Sequence, residues 1–331
     1  MALQIFPDIS KKTTVSDGTS YAYIRIPAAN ATKPTFLLLH GFPSSSYDWR
    51  RIVPKLKEDG YGIIAPDLLG YGDSDKPEEV EAYAIKRMAD HVAEIVQIEG
   101  LSLSRVIGVG HDWGSGLLSA TALAHREIFS GLVFLAVGYT PPGPFDIDQI
   151  NAITEKALGY PANGYMKFFV EDTAASVIGA NLASFTSLVY PTVPEVWKTD
   201  MGPLGAAKKW ITSGKVTPPP PWLSQEELDT HTRILQKGGY TGPLNWYKAA
   251  ARGINQEFVS KFTTDESKSL DIPSLLVTAT YDCACPPQFQ KPRTEQYLRK
   301  SRTEQLDCGH WIPLEKADET ILLLEEFSNG I

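Results

Sequence analysis

The sequence predicts an α/β fold in which a mostly parallel sheet has helices on both faces and a helical insertion interrupts the chain. Three observations support this fold class. Short apolar, β-branched runs alternate with segments whose apolar residues recur at helical spacing. Polar residues follow the ends of the apolar runs, as expected at the carboxyl edge of a parallel sheet. Residues 143–252 contain helical periodicity without a convincing strand.

The first 142 residues provide most of the predicted strands. Two alternating runs flank Asp17 and Gly18, a dipeptide that favours a tight turn, and they predict a hairpin over residues 12–26. Buried strands are predicted at 35–39, 62–67, 106–111 and 131–137. Helices are predicted at 49–57, at 85–96 and from about residue 114.

The strand and helix pattern returns after the insertion. A strand is predicted at 272–279, a helix at 288–298, a strand at 303–306 and a last helix at 318–327. We therefore predict a core formed by residues 1–142 and 253–331. Residues 143–252, which include a proline run at 218–221, are predicted to form a helical lid over the site.

Composition limits the classes of function. The 331 residues carry a net charge of −8 and no long basic run, so we expect no nucleic-acid partner. The sequence has no apolar run long enough for a membrane span, and residues 1–12 do not resemble a secretory signal. Three cysteines are too few for a disulfide framework and predict a reduced, cytoplasmic protein. The sequence leaves the oligomeric state open.

Residues 110–114 have the pattern G-x-D-x-G, which is the nucleophile-elbow pattern G-x-S-x-G with Asp112 in place of serine. This pattern predicts a side chain that projects from a sharp turn between a strand and a helix. Ser115 does not fit the serine pattern, because Trp113 and Leu117 stand where glycines are required. The alternative is that Asp112 only caps the following helix.

Five polar residues follow apolar runs and are expected at one edge of the sheet: His40, Asp67, Asp112, Asp282 and His310. Three of them, Asp112, Asp282 and His310, occur in the order nucleophile, acid, histidine that is typical of hydrolase triads on such sheets. A lone histidine after a strand is more often structural, but this order favours a catalytic role for His310.

An aspartate nucleophile predicts a particular chemistry. A carboxylate is already ionised at neutral pH, and its attack on a saturated carbon leaves an ester that the enzyme can hydrolyse. His310 is then predicted to activate water, and Asp282 to orient the imidazole. The backbone N–H groups of Phe42 and Trp113 are predicted to stabilise the oxyanion.

Four motifs, at residues 40–43, 70–74, 110–114 and 307–311, together with residues 242–247, resemble the α/β-hydrolase-fold epoxide hydrolases, above all the catalytic domain of soluble epoxide hydrolase. The resemblance implies that Tyr247 is one of two lid tyrosines that hold the epoxide oxygen. Tyr165 fits the second place, and Tyr190 is the alternative. The implied substrates are a small apolar epoxide and water, with no metal or organic cofactor, in detoxification or in a biosynthetic step.

Other functions remain open at this point. A haloalkane dehalogenase shares the elbow but does not need two lid tyrosines, and it often has asparagine where this chain has Phe42. A non-catalytic receptor on the same fold is a second alternative, and an enzyme that cyclises epoxides internally is a third. The chain also departs from the family at residues 283–285, where Cys-Ala-Cys replaces bulkier apolar residues and changes the expected pocket wall.

Overall fold

Eight strands form one sheet in the computed structural model, which describes residues 2–101 and 105–331. The strands are β1 (Ser10–Thr14), β2 (Ser20–Ile26), β3 (Thr35–Leu39), β4 (Gly62–Pro66), β5 (Val106–His111), β6 (Phe129–Leu135), β7 (Ser274–Ala279) and β8 (Ser301–Leu306). Their order across the sheet is β1-β2-β4-β3-β5-β6-β7-β8. The β1–β2 and β2–β4 pairs are antiparallel and the other pairs are parallel, which confirms the predicted mostly parallel sheet.

Helices follow the strands along the chain. Before β6 lie α1 (Ala2–Ile5), α2 (Val53–Glu58), α3 (Ile85–Ile98) and α4 (Trp113–Ala124). Between β6 and β7 lie α5 (Ile147–Leu158), α6 (Tyr165–Phe169), α7 (Ala174–Ala180), α8 (Leu182–Val189), α9 (Ala206–Ser213), α10 (Gln225–Gly238), α11 (Thr241–Ala251), α12 (Gln256–Val259) and α13 (Asp265–Lys268). After β7 lie α14 (Pro287–Tyr297), α15 (Ile312–Glu315) and α16 (Ala317–Asn329). No described residue between 143 and 252 lies in a strand.

The sheet separates two apolar layers because alternate side chains of a strand point to opposite faces. Leu37 and Leu39 of β3 belong to one buried cluster, whereas Phe36 and Leu38 belong to the other. Burial on both faces explains why β3 and β4 read as continuous apolar runs. Among the helices of the described part of the chain, none is both long and apolar enough to cross a membrane.

Among the predicted boundaries that differ from the structure, two differ for clear local reasons. The helix predicted from Trp49 begins only at Val53, because Trp49 ends a separate 3₁₀ turn and Pro54 is favoured in the first turn of a helix. The strand predicted at 131–137 is β6, which ends at Leu135. The next residue, Ala136, has a positive φ of 64°, which is incompatible with an extended strand.

Candidate active site

The sharp turn between β5 and α4 carries Asp112 at the carboxyl edge of the sheet. Its backbone has φ 52° and ψ −121°, a conformation that residues with a side chain rarely adopt. Asp112 precedes the first residue of α4, but its side chain makes no capping hydrogen bond with that helix. The capping alternative is therefore wrong, and the carboxylate projects from the turn as the elbow pattern predicts.

Close backbone packing around the elbow requires glycine. A Cβ atom on Gly114 would lie 2.1 Å from the carbonyl oxygen of Leu39, so α4 rests directly on the backbone of β3. A Cβ atom on Gly41 would lie 2.4 Å from Oδ1 of Asp112. Both distances are far below van der Waals contact, so these glycines allow the carboxylate to sit against the turn that follows β3.

We expect Gly114→Ala to lower the free energy of unfolding by about 1–3 kcal/mol, because the methyl group has to displace the backbone of β3. Gly116→Ala is the matched control within the same helix. A Cβ atom on Gly116 meets nothing within 4 Å, so this change should stabilise the protein by about 0.5–1 kcal/mol through helix propensity. Urea unfolding of the two variants measures both effects. Equal stability of the two variants would contradict the packing described for the elbow.

One backbone N–H group holds the Asp112 carboxylate, and a second lies near it. The N–H of Phe42 donates to Oδ1 at 2.8 Å, and the N–H of Trp113 is the nearby group. Burial raises the pKa of Asp112, and the charge of His310 and these two N–H groups offset only part of the rise. The structure thus places both predicted oxyanion donors beside the Asp112 carboxylate.

His310 lies between the two carboxylates. Its Nδ1 is 2.7 Å from Oδ2 of Asp282, and its Nε2 is 3.7 Å from Oδ2 of Asp112. Burial lowers the pKa of His310, but the charge of Asp282 outweighs this effect and raises the pKa well above its usual value. The second oxygen of Asp282 accepts hydrogen bonds from the backbone N–H groups of Ala284 and Cys285. Asp282 therefore holds Nδ1 of the imidazole, and Nε2 points at Asp112.

The backbone around His310 is fixed by residues that the sequence patterns did not indicate. The carboxylate of Glu315 accepts hydrogen bonds from the N–H groups of Gly309 at 2.8 Å and Trp311 at 3.0 Å, on either side of the histidine. The His310 carbonyl oxygen lies 2.9 Å from Nε2 of His111, and burial lowers the pKa of His111 to about 3, so that this ring is neutral and donates. An acid a few residues after the G-H-W motif was the available signal for Glu315.

Two tyrosines from the helical segment face the elbow. The ring of Tyr247 in α11 lies edge-on to Trp113 at 4.9 Å and to Phe42 at 5.1 Å, and the Tyr165 ring lies 6.4 Å from it. Burial, together with the nearby Asp112 charge, raises the pKa of both phenols well above the usual value. Both phenols therefore keep their protons at neutral pH.

Tyr190 is directed elsewhere. Its hydroxyl donates to the carbonyl oxygen of Pro43 at 3.1 Å and hydrogen-bonds Nε2 of His231. Its ring packs on Trp311 at 4.5 Å. These contacts engage its hydroxyl in joining the helical segment to the turn after β3, whereas Tyr165 lies beside Tyr247.

His40 and Asp67 do not join the other three residues, although both follow strands. Nε2 of His40 accepts a hydrogen bond from the N–H of Leu68, and burial lowers the pKa of His40 to about 4. Asp67 accepts hydrogen bonds from the N–H groups of Ser46 and Asp73. Both side chains therefore hold the loops beside β3 and β4, and the expectation that all five polar residues act at one site is wrong for these two.

A narrow cleft that is open to solvent lies beside His310. Residues of the helical segment form one wall and the loop around His310 forms the other, with Pro194, Trp197 and Trp222 facing Tyr281 and Glu315. The Trp197 ring lies 5.4 Å from the imidazole. The cleft brings the neighbourhood of His310 within reach of solvent.

Comparison with known proteins identifies relatives that match this chain over most of its length. The family described as alpha/beta hydrolase fold matches residues 34–317. The chain is 32% identical to epoxide hydrolase 3 of Siraitia grosvenorii, over 91% of this chain and 94% of that protein. It is 30% identical to bifunctional epoxide hydrolase 2 of Rattus norvegicus over 88% of this chain, but it spans only about half (51%) of that protein. The crystal structure of epoxide hydrolase A from Mycobacterium thermoresistibile superposes with a TM-score of 0.77 at 26% identity, covering 97% of this chain and 98% of that one.

Proposed function

Because this chain belongs to the epoxide hydrolases of the α/β-hydrolase fold family, we propose that it opens an apolar epoxide to a vicinal diol through a covalent ester at Asp112. The observation that carries this proposal is the position of the Asp112 carboxylate. One oxygen is held by the N–H of Phe42, and the other lies 3.7 Å from Nε2 of His310. The second oxygen is therefore available to attack a carbon atom, and the first stays bonded to the N–H of Phe42 as the ester carbonyl.

In the first step, Oδ2 of Asp112 forms a bond to one epoxide carbon, and the carbon–oxygen bond of the ring breaks. Negative charge develops on the departing oxygen, which receives a hydrogen bond from each of Tyr165 and Tyr247 and a proton from one of them. The positions of the two rings support this role, because the Tyr247 ring lies 4.9 Å from Trp113 at the elbow and the Tyr165 ring lies 6.4 Å from that of Tyr247.

In the second step, His310 removes a proton from water, and the water oxygen attacks the carbonyl carbon of the Asp112 ester. Esterification has removed the negative charge of Asp112, and this loss makes it easier for the imidazole to be neutral and to act as a base. Asp282 stabilises the imidazolium that forms. The oxyanion receives hydrogen bonds from the backbone N–H groups of Phe42 and Trp113. Its collapse breaks the bond from the carbonyl carbon to the substrate oxygen, which takes the proton from His310 and leaves as the diol. The proton of the re-formed Asp112 carboxyl group returns to the phenolate left by the first step.

We further propose that residues 143–252 act as a lid. Tyr165 and Tyr247 belong to this segment, and their rings cover the elbow and pack against one another. Because the lid supplies both phenols, the site is complete only when the lid packs on the core. The same segment also carries Tyr190, whose hydrogen bond to Pro43 ties the lid to the oxyanion turn.

Product analysis tests the proposed activity. The purified protein should convert styrene oxide to its diol and release no chloride from a chloroalkane. The second expectation follows from the two lid tyrosines at the elbow, which epoxide opening uses and halide release does not need. Chloride release without diol formation would favour a dehalogenase. Binding of epoxides without turnover would favour a receptor, and a cyclic ether formed from a hydroxy-epoxide would favour internal cyclisation.

Removing both phenol groups should nearly abolish ring opening. We expect Tyr165→Phe/Tyr247→Phe to lower kcat by roughly 10⁴-fold or more, because a positioned acid contributes about 10²–10⁴-fold and a second donor adds to this. Stopped-flow measurement of the alkylation step checks the effect. Tyr190→Phe is the matched control and should reduce kcat by no more than several-fold. A larger loss in the control than in Tyr165→Phe would assign the second phenol to Tyr190.

Glu315 is expected to matter through His310. An amide accepts hydrogen bonds at one oxygen, so Glu315→Gln releases the N–H of Gly309 or of Trp311 and loosens the histidine. We expect kcat to fall by about 10–100-fold with little change in KM, because small misplacements of a catalytic group have effects of this size. Steady-state kinetics measure kcat and KM separately. Glu319→Gln, which removes only a partly exposed ion pair with Lys316, should leave both constants unchanged, and an equal effect of the two changes would refute this role.

A further inference from the structure

The side chain of Cys285 lies beside the histidine that the proposed mechanism uses. The sequence places it three residues after Asp282, where the family resemblance leads one to expect a bulky apolar residue. Its sulfur lies within 4.8 Å of a ring nitrogen of His310 and of a carboxylate oxygen of Asp282. The mechanism assigns no task to this thiol.

Of the three cysteines in the chain, only Cys285 keeps part of its surface exposed. The Cys283 thiol is buried and turns away to contact the carbonyl oxygen of Tyr281 at 3.4 Å. Cys308 is buried in the apolar cluster on the other face of the sheet. The sulfur of Cys285 is thus the one positioned to meet a ligand that enters the site.

Asp282, Cys285 and His310 together form a set of metal-binding groups. One ligand atom from each, a carboxylate oxygen, a sulfur and an imidazole nitrogen, lie within 4.8 Å of one another. Zinc bonds of about 2.0–2.3 Å place tetrahedral ligands about 3.5 Å apart, so small side-chain rotations bring these atoms to coordinating distance. A water molecule is available for the fourth position.

We propose that Asp282, Cys285 and His310 form an inhibitory binding site for thiophilic divalent cations such as Zn²⁺ and Cd²⁺. A thiolate and an imidazole select such ions over Mg²⁺ and Ca²⁺, which prefer oxygen ligands. On binding, the Cys285 thiol loses its proton to solvent and the sulfur bonds to the metal, with no change of oxidation state. A cation at this site occupies His310 and separates it from Asp282, so neither residue serves the hydrolysis of the ester. The inhibitory part of this inference rests on the proposed function, whereas the binding part does not.

Cadmium alone is the probe, because a cadmium–thiolate bond has an ultraviolet charge-transfer band that reports binding without any assay of activity. We expect one Cd²⁺ per chain to produce this band in the wild-type protein and to inhibit epoxide hydrolysis at the same concentration. Cys285→Ala should lose the band and weaken inhibition, measured against its own metal-free rate, by more than the roughly 10–100-fold typical for loss of an outer-shell partner. Cys283→Ala and Cys308→Ala are the matched controls and should keep both.

A measurement on the wild-type chain avoids dependence on the folding of a variant. Bound Cd²⁺ should protect the Cys285 peptide from alkylation by iodoacetamide, as read by mass spectrometry, and His310→Gln should reduce the protection. A band that persists in Cys285→Ala, a band that requires Cys283 or Cys308, or unchanged alkylation of Cys285 in the presence of Cd²⁺ would overturn the proposal. If the protein shows the Cd²⁺ band and protects Cys285 from alkylation but turns over no epoxide, the proposed metal site stands and the proposed function is refuted.

Discussion

Replacing Asp112 with alanine is expected to lower kcat/KM for an epoxide by roughly 10⁴–10⁶-fold, the range seen when a covalent nucleophile is removed. The carboxylate supplies the bond to the substrate carbon, and no neighbouring group replaces it. Ser115 does not, because its hydroxyl is buried and donates to the carbonyl oxygen of Gly110 at 2.8 Å. Turnover of styrene oxide by the purified variant measures the loss.

Asp112→Asn serves as the companion variant. Asparagine has the same shape, tolerates the positive φ of this position better than alanine and still offers an oxygen to the N–H of Phe42. It should fold like the wild type and should bind the diol, yet its amide is not a nucleophile for the epoxide carbon. If Asp112→Asn forms product at a rate near that of the wild type, and mass spectrometry finds the asparagine intact, attack by the Asp112 carboxylate is ruled out.

His310→Gln should separate the two steps of the reaction. Ring opening by Asp112 does not need the imidazole as a base, whereas hydrolysis of the ester does. We therefore expect the ester to form rapidly once per enzyme molecule, and we expect the steady-state kcat to be roughly 10⁴-fold lower than in the wild type. Intact-protein mass spectrometry should find the chain heavier by the full mass of one epoxide.

The control for the second prediction is the double variant Asp112→Ala/His310→Gln, which should form no adduct because it has no nucleophile. An adduct on the double variant would place the covalent bond on another residue. Loss of diol formation in His310→Gln without an adduct at any time would mean that the histidine activates water for direct attack on the epoxide.

Most of the fold follows from local patterns in the sequence. The apolar run at residues 35–39 predicts β3 at its observed bounds, because strands buried on both faces contain little besides apolar residues. The dipeptide at residues 17 and 18 likewise predicts the hairpin of β1 and β2. The predicted start of α2 was wrong, because a 3₁₀ turn and an α-helix with the same apolar spacing cannot be distinguished until their hydrogen bonds are known.

The candidate site was predictable only where its residues lie in motifs. Asp112, Asp282 and His310 each follow an apolar run, and the topology of a parallel sheet brings such positions to one edge. The same rule included His40 and Asp67, because strand ends also carry residues that only hold loops. The contact between His111 and His310 joins residues 199 positions apart, and no local periodicity reports a contact of that range.

Cys285 illustrates a further limit. Its position in the sequence identified it as a departure from a family pattern, but the pattern did not say what the thiol contacts. Only the fold of the loop after β7, where Asp282 accepts the N–H of Cys285 at 2.8 Å, brings the side chain to His310. Side-chain chemistry of this kind depends on a turn whose geometry is set by tertiary contacts.

The central claim is that the oxygen added to the substrate comes from Asp112 and that water restores this oxygen afterwards. A single turnover with excess enzyme in ¹⁸O-labelled water, followed by mass spectrometry of the peptide containing residue 112, tests it directly. The account predicts heavy oxygen in that carboxylate and a first diol that carries only the light isotope. Heavy oxygen in the first diol, together with an unlabelled peptide, would contradict it.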